Sequence, residues 1–355
     1  MTDPGGSVRV GLVGFGLGGA VFHAPLIEAI EGMVLASIVT SNPDRAAEAG
    51  ARYPDARVLP HVDALWDAAR EHDLVVIVTP NRFHVPIGLA ALDLGLHLVV
   101  DKPLAPSAAE GRRLASAAAD RGLVFSVFQN RRLDGDFLTV RRLIDDGTMG
   151  DVIRFESRFE RWRPEVDANA WRERVAAEEA GGLLFDLGSH LVDQAVQLFG
   201  RPTHVYAEVE RRRAGAEVDD DTFVALRHPN GAVSHLWASA VAASLGPRLR
   251  VLGLAAAYEK SGLDPQEEQL AAGMAPSDVE YGREPEERWG RLSVGGEVRA
   301  VPTERGRYPR YYEGVAAAIR DGAPPPVSGA DAIATLEILE AARASGSTGT
   351  VVELP

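Results

Sequence analysis

Three glycines that directly follow a short apolar segment strongly constrain the fold of this chain. The segment Val8–Val13 is typical of a buried parallel strand, and Gly14, Gly16 and Gly19 lie between it and a predicted helix. In this context the glycines permit a tight turn, a close approach of ligand to backbone, and close packing of helix on strand. Because the first amides of a helix bind phosphate groups, the pattern predicts a dinucleotide site. A glycine-rich turn without a ligand is the alternative.

The order of apolar and polar segments predicts two different sheets. Short apolar segments alternate with helical segments up to Phe128, which is typical of βαβ units and a doubly wound parallel sheet. Later segments alternate apolar with polar residues, and Pro229-Asn230-Gly231 indicates a hairpin. We therefore expect an α/β chain with a Rossmann domain over residues 1–128. An α+β substrate-binding and oligomerisation domain with a largely antiparallel open sheet is expected over residues 129–355.

Composition excludes several classes of protein. The chain has 355 residues, of which 46% are hydrophobic, so it is long and apolar enough for two folded domains. The net charge of −14 argues against a nucleic-acid partner. The absence of cysteine excludes disulfides, thiolate catalysis and cysteine-ligated zinc. The N-terminus lacks the pattern of a signal peptide and no apolar stretch is long enough to span a membrane, so we expect a cytoplasmic protein.

The end of the second predicted strand bears on cofactor choice. Enzymes that use NAD usually place an acidic residue here, about 20 residues after the glycines, to hold the ribose hydroxyls. This chain instead has Thr40-Ser41-Asn42, followed by Arg45. Hydroxyl groups and an arginine suit a 2′-phosphate, which favours NADP and leaves NAD possible. The alternative is that Arg45 is an ordinary surface residue of a helix.

Two further segments follow predicted strands, where open α/β sheets bind ligands. Thr79-Pro80-Asn81 is the first, although Asn81 could simply cap the next helix and His84 could be only a first-turn residue. Asp101-Lys102-Pro103 is the second, and Lys102 there could polarise a substrate oxygen or be merely solvated. The residues predicted to bind the cofactor are Gly14, Phe15, Gly16, Leu17, Gly19, Ser41, Asn42, Arg45, Thr79, Pro80, Asn81, His84, Asp101 and Lys102.

A predicted helix over residues 183–199 carries the remaining candidates for catalysis. Asp186 and His190 are four residues apart, so on a continuous helix they share one face. Gly181-Gly182, directly before it, would let substrate or nicotinamide come close. A structural histidine or a stabilising Asp–His ion pair is the alternative. We expect no metal site, because no third ligand with the spacing of a zinc site is present nearby.

These motifs together resemble the Gfo/Idh/MocA oxidoreductases over nearly the whole chain. The matching residues are Gly14, Gly16, Gly19, Lys102, Asp186 and His190. One departure is Asp101, where the family usually has glutamate. The resemblance implies a Rossmann domain, an α+β substrate domain and catalysis by Lys102, Asp186 and His190.

Within that family, the chain looks most similar to the NADP-dependent scyllo-inositol dehydrogenases. The stretches that carry this likeness are Phe22-His23-Ala24-Pro25-Leu26, Gln129-Asn130-Arg131-Arg132, Arg163-Pro164-Glu165-Val166, Trp171-Arg172-Glu173 and Asp186-Leu187-Gly188-Ser189-His190. The likeness implies that Asn130, Arg163, Trp171 and Arg172 contact substrate, although each could be a domain-interface residue instead.

The function expected from this resemblance is hydride transfer between NADP and a secondary hydroxyl group of a cyclic polyol, with scyllo-inositol and its inosose as the first candidates. His190 would take the hydroxyl proton, Asp186 would orient the sugar and support the imidazole, and Lys102 would stabilise the alkoxide. A homodimer or homotetramer is expected. The alternatives are a dehydrogenase of another sugar or polyol, an NAD-dependent glycoside hydrolase, and a sugar-sensing regulator without catalysis.

Overall fold

The computed structural model describes residues 6–166 and 179–355, which form two β-sheets with helices packed on them. All neighbouring strands of the first sheet are parallel, in the order β3-β2-β1-β4-β5-β6. Its strands are β1 (Val8–Val13), β2 (Met33–Val39), β3 (Arg57–Leu59), β4 (Leu74–Ile77), β5 (His97–Asp101) and β6 (Phe125–Phe128). The strand order reverses between β1 and β4, so a ligand crevice is expected beyond their carboxyl ends.

Short helices connect these parallel strands. They are α1 (Ala24–Glu28), α2 (Pro43–Arg52), α3 (Val62–Asp67), α4 (His84–Asp93) and α5 (Ala108–Asp120). The helix expected after the glycines begins with a wide π-helical turn, Gly18–His23, in which the amide of Ala24 donates to the carbonyl of Gly19. Pro25 follows and has no N–H to continue an α-helical ladder through this turn, which favours the wider geometry.

The second sheet has nine strands in the order β14-β13-β12-β11-β7-β10-β9-β8-β15. They are β7 (Val152–Glu160), β8 (His204–Glu210), β9 (Asp221–Arg227), β10 (Val233–Ser239), β11 (Leu249–Gly253), β12 (Ala257–Lys260), β13 (Gly290–Val294), β14 (Glu297–Val301) and β15 (Val352–Glu353). Among the described strands of this second sheet, only the neighbours β7 and β10 are parallel. The expectation of a parallel Rossmann sheet plus a largely antiparallel sheet is therefore confirmed.

Helices cover one face of the second sheet. The described helices in this part of the chain are α6 (Gly135–Asp145), α7 (Leu183–Asp186), α8 (Gly188–Phe199), α9 (Gln266–Ala271), α10 (Pro309–Asp321) and α11 (Gly329–Thr348), and of these α7, α8 and α11 contact the strands. Burial alternates along β9 and β10, as it should when one face of a strand packs on helices and the other does not. α8 packs on β7 and β10, and α11 packs on β8.

The helix predicted over residues 183–199 is in fact two helices. α7 ends at Asp186 and α8 begins at Gly188, and the amide of His190 donates to the carbonyl of Leu187, three residues back. Asp186 and His190 therefore lie on either side of a tightened turn between two short helices. This correction matters for the site, because the two side chains find different partners.

The two sheets are joined by buried polar contacts and by α11, which packs on α5 as well as on β8. Tyr311 donates to Ser126 Oγ over 2.9 Å, and Ser126 donates to the carbonyl of Val327, also over 2.9 Å. The first sheet is complete at Phe128 and the second begins at Val152. A domain boundary after residue 128 remains our proposal.

Candidate active site

The glycine turn after β1 has the shape that a dinucleotide needs. Gly14 has a φ of 107°, and a Cβ on it would collide with the carbonyl oxygen of Val78. A Cβ on Gly19 would collide with the carbonyl oxygen of Gly14. Above Gly16, however, an added Cβ would meet only the guanidinium of Arg45, at 3.7 Å. The turn is therefore tightly packed at Gly14 and Gly19 and open at Gly16, which fits a pyrophosphate lying on Gly16.

The two side chains between these glycines face different surroundings. Phe15 is buried and packs edge-on against Tyr53, with the ring centroids 6.1 Å apart. Leu17 is 65% exposed. The backbone of both residues belongs to the turn, but the Phe15 ring is part of the core.

The residues at the end of β2 leave a surface that is open to a ligand. Ser41, Asn42 and Arg45 are exposed, and Asn42 Oδ1 accepts a 3.0 Å hydrogen bond from the amide of Arg45, which caps α2. This cap fixes the backbone of Arg45, and its side chain reaches back over Gly16. A cation thus lies beside the phosphate-binding turn, where a 2′-phosphate or the pyrophosphate could be held.

The segment after β4 links the glycine turn to the second sheet. Asn81 does not cap a helix: its amide donates to the carbonyls of Glu179 and Ala180, over 3.3 and 3.2 Å. The ring of buried His84 contacts the carbonyl of Thr79 at 2.8 Å and that of Pro103 at 3.1 Å. His84 therefore holds two ligand-facing loops together from behind, and Pro80 lies between Thr79 and Asn81 at the same edge.

Lys102 and Asp186 form the polar centre of the site. Lys102 Nζ donates to Asp186 Oδ1 over 2.6 Å and to the carbonyl of Asp186 over 2.7 Å. Their side chains are only 11% and 22% exposed, so this ion pair is largely shielded from water. A lysine ammonium has three N–H groups, and these two bonds leave one of them for a substrate oxygen.

His190 is buried next to this pair but binds a different residue. Its Nδ1 lies 3.1 Å from Gln129 Oε1. Since an amide oxygen only accepts hydrogen bonds, Nδ1 carries the proton and Nε2 has a free lone pair. Burial lowers the pKa of His190 well below its ordinary value, and the positive charges of Lys102 and Arg131 lower it further. The imidazole is therefore neutral at pH 7, as a general base must be.

Asp101, which replaces the usual glutamate of the family, lies beneath the glycine turn. Its Oδ1 accepts from the amide of Lys102 over 2.8 Å and lies 3.8 Å from Nε2 of buried His23. The other ring nitrogen of His23 is 2.6 Å from the hydroxyl of Tyr312. Burial raises the pKa of Asp101, but His23 and Lys102 lower it by more, so the net pKa is below the ordinary value. Asp101 is thus a fixed anion at the base of the crevice.

A small cavity extends from Asp186 towards the second sheet. It has a volume of about 180 Å³. Arg163 lines it, while Asn130 is buried in the turn after β6, directly after Gln129. Trp171 and Arg172, the other two predicted substrate contacts, lie outside the described residues. The complete set that lines the cavity is Arg161, Arg163, Gly182, Leu183, Asp186, Leu187, Arg213, Val218, Asp219, Ser239 and Ala240.

Residues 6–166 and 179–355 contain neither a metal-binding cluster nor a membrane-spanning helix. No group of three or more His, Asp or Glu side chains is arranged to hold a metal ion there. In the same residues, no helix combines the length and the apolar character that crossing a bilayer requires.

Comparison with known proteins identifies the family. Residues 8–129 match the model of the oxidoreductase family with an NAD-binding Rossmann fold, and residues 137–259 match the GFO/IDH/MocA C-terminal domain. The chain belongs to the Gfo/Idh/MocA family.

Two curated relatives span almost the entire chain. The scyllo-inositol 2-dehydrogenase (NADP(+)) IolW of Bacillus subtilis is 35% identical, over 98% of this chain and 96% of its own. The uncharacterized oxidoreductase YdgJ of Escherichia coli is 38% identical, over 94% of this chain and 95% of its own. The solved structure of yvaA from Bacillus subtilis superposes with a TM-score of 0.93 at 34% identity, and both chains are covered completely.

Sequence patterns did not identify all the residues of this Gfo/Idh/MocA site. Gln129, which orients His190, directly follows β6, and that position at the carboxyl end of a parallel strand was the available signal. His23 lies in a stretch that carries the likeness, but its contacts could not be predicted because its partners Asp101 and Tyr312 are distant in the chain. Arg161 precedes the predicted contact Arg163 by two residues, so the period of an extended strand could have identified it.

Proposed function

We propose that this protein is an NADP-dependent dehydrogenase of a cyclic polyol, with scyllo-inositol and its inosose as the first substrate pair to test. The single observation that carries the proposal is the buried contact of Lys102 with Asp186 beside neutral His190, at the edge of the sheet that bears the glycine turn. The choice of polyol rests on IolW, whose name states that activity.

The side chains would share the work of oxidation as follows. His190 Nε2 accepts the proton of the substrate hydroxyl, because Gln129 keeps the proton of the ring on Nδ1. The remaining N–H of Lys102 donates to the same oxygen as negative charge develops on it. Asp186 holds Lys102 in place and accepts from a neighbouring hydroxyl. The bound cofactor supplies the hydride acceptor, so the C–H electron pair leaves carbon as the C=O bond forms.

The preference for NADP over NAD is proposed from the end of β2. The exposed group Ser41, Asn42 and Arg45 offers hydroxyl, amide and guanidinium donors and no carboxylate. A 2′-phosphate would find a cation in Arg45, whereas the ribose hydroxyls of NAD would lack the usual acidic acceptor. We further propose that the enzyme works in the cytoplasm.

A substrate panel tests this function. The protein is incubated with inositols, aldoses and ketoses, each with NADP and with NAD, and formation or loss of reduced nicotinamide is followed. We expect steady turnover with at least one cyclic polyol and NADP. A glycoside hydrolase would release product without accumulating reduced cofactor, and a sensor would bind ligands without turnover. Either result would contradict the proposal.

We also propose that the uncovered face of the second sheet binds another copy of the chain. Phe223 and Trp237 lie with ring centroids 5.1 Å apart on that face, and His235 packs against both. The guanidinium of Arg158 lies 3.9 Å from the Trp237 ring. A half-exposed aromatic cluster in the middle of a sheet is more typical of an interface than of a free surface. Light scattering should show a dimer or tetramer at micromolar concentration, and a monomer would exclude this.

A further inference from the structure

Two arginines directly after β7 point into the cavity that reaches Asp186. The chain stays extended past the strand, because the amide of Arg161 donates to the carbonyl of Ser239 over 2.8 Å and that of Arg163 to the carbonyl of Ala240 over 2.7 Å. Side chains alternate along an extended segment, so both arginines lie on one side and Trp162, which is 57% exposed, lies on the other. The backbone that carries Arg161 and Arg163 is therefore fixed by the sheet.

The cavity is continuous with the catalytic centre. Asp186 lines it and also accepts the 2.6 Å hydrogen bond from Lys102. A substrate whose hydroxyl reached Lys102 and His190 would therefore extend the rest of its ring towards Arg161 and Arg163. The volume of about 180 Å³ suits a small ligand.

The positive charges in this cavity are not all neutralised. Arg213 forms a buried 2.9 Å ion pair with Asp220, and Lys102 is paired with Asp186. Asp219 accepts from the amide of Leu184 over 2.7 Å. By contrast, the guanidinium groups of Arg161 and Arg163 make no hydrogen bond or ion pair with the residues that the structure describes.

The surroundings of Arg161 disfavour its positive charge. Burial lowers the pKa of Arg161 and the positive charge of Arg163 lowers it further, while the carboxylates of Asp186 and Glu267 offset only part of this effect. Arg161 is partly buried and Arg163 is exposed, and an anion bound between these like charges would reduce their repulsion. A guanidinium also presents paired N–H donors that match the two oxygens of a carboxylate or phosphate.

We propose that Arg161 and Arg163 bind an anionic substituent, a carboxylate or a phosphate, on the polyol that is oxidised. The inference rests on the proposed dehydrogenase function and narrows its substrate class. An acidic sugar or an inositol phosphate would be bound through its anion at the arginine pair and through its reacting hydroxyl at Lys102 and His190. A neutral polyol such as scyllo-inositol would fill the same cavity but leave the arginine pair unmatched.

Matched ligands test this inference without relying on turnover. Binding to the NADP-saturated protein is measured by isothermal titration calorimetry for D-glucuronate against D-glucose, and for myo-inositol 1-phosphate against myo-inositol. We expect the anion of at least one pair to bind about tenfold to a hundredfold more tightly, the range of a charged hydrogen bond. The pair that shows the preference distinguishes carboxylate from phosphate. Equal binding within both pairs, or no binding of either anion, would overturn the inference.

Variants then show which residues cause the preference for the anionic ligand. Arg161→Gln should reduce it to about twofold or less, and Arg161→Lys should retain part of it, because a lysine keeps the charge but not the paired donors. If Arg161→Gln does not fold, exposed Arg163→Gln is the second variant. Arg113→Gln, an equal charge change on exposed α5, should leave the preference intact. An unchanged preference in both Arg161→Gln and Arg163→Gln would also overturn the inference.

Failure of the anion-site inference can be distinguished from failure of the proposed dehydrogenase function. Oxidation of neutral polyols without an anion preference would leave the dehydrogenase in place and remove the arginine site. Tight anion binding that depends on Arg161, without turnover of any compound in the panel, would leave the arginine site in place and remove the dehydrogenase.

Discussion

In the first sheet the site residues directly follow strands, whereas in the second sheet they come from a broken helix and from the extension of a strand. Gly14 follows β1 and Lys102 follows β5, so the parallel order of the sheet is enough to bring them to one edge. Asp186 and His190 lie on either side of the α7–α8 break, and Arg161 continues β7. The first half of the site is thus fixed by topology, while the second depends on local packing.

This difference assigns different tasks to the two halves. The first sheet supplies the cofactor surface and the ammonium of Lys102, and the second supplies the base and the substrate cavity. Changes in the second half should therefore alter turnover or substrate choice with little effect on cofactor binding. Changes at the end of β2 should do the reverse.

The largest expected effect is that of His190→Ala. Loss of the general base should lower turnover by about 10² to 10⁴ and leave the affinity for NADP nearly unchanged. Turnover and thermal stability are measured on the same preparation.

His72→Ala is the control, because His72 is also buried but bonds Ser37 and the carbonyl of Ala68 in the first sheet. That variant should lose stability and keep its turnover per folded molecule. Normal turnover in well-folded His190→Ala would exclude His190 as the base.

Lys102→Met tests a residue of the first half that contacts the second. Loss of its hydrogen bond to the developing alkoxide should lower turnover by about 10² to 10³, with a milder loss of NADP affinity. The pH profile gives a second measurement. Because burial and Lys102 lower the pKa of His190, the rate of oxidation should fall only well below the ordinary histidine pKa of about 6.5.

Removing the positive charge at residue 102 should raise the pKa of His190. The acid limb of kcat/KM for oxidation should consequently move to higher pH in Lys102→Met. An acid limb that stays in place would show that the titrating group is not adjacent to Lys102.

Arg45→Ala changes the cofactor half alone. If the guanidinium binds the 2′-phosphate, affinity for NADPH should fall about 10- to 150-fold, and affinity for NADH should be unaffected. Fluorescence titration with both cofactors measures this, and Arg57→Ala, which removes an exposed cation paired with Glu71, is the control. Equal affinity of the unmutated protein for NADPH and NADH would refute the assignment of NADP.

Gln129→Leu should have the smallest effect. Without the 3.1 Å contact between His190 Nδ1 and Gln129 Oε1, the imidazole can carry its proton on either nitrogen. Turnover should therefore fall about two- to tenfold. The expected signature is a lower kcat with NADP affinity retained. If turnover is unchanged, Gln129 does not set the tautomer of His190.

The sequence was sufficient for the parts of the molecule that regular periodicity controls. The strand before Gly14 and the strand before Lys102 are short apolar segments bounded by turn residues, and their parallel arrangement follows from the helices between them. Such segments reveal both the fold and the edge where the ligand binds. The hairpin between β9 and β10 was likewise indicated, by Pro229-Asn230-Gly231.

Long-range side-chain contacts limited the prediction elsewhere. The i, i+4 spacing of Asp186 and His190 implied a continuous helix, but the chain tightens at Leu187 and the two side chains bind Lys102 and Gln129 instead. Asn81 looked like a cap and instead donates to carbonyls about 100 residues away, at Glu179 and Ala180. Strands β12 and β13 are short and carry no strong apolar pattern that would indicate them.

The contact of Asn81 with Glu179 and Ala180 has a thermodynamic consequence. It joins the loop after β4, where nicotinamide is expected, to the chain that leads through Gly182 to Asp186. A ligand that displaces either segment must therefore strain or release the other. Cofactor and polyol should then bind with a shared coupling free energy, so that each changes the dissociation constant of the other by the same factor.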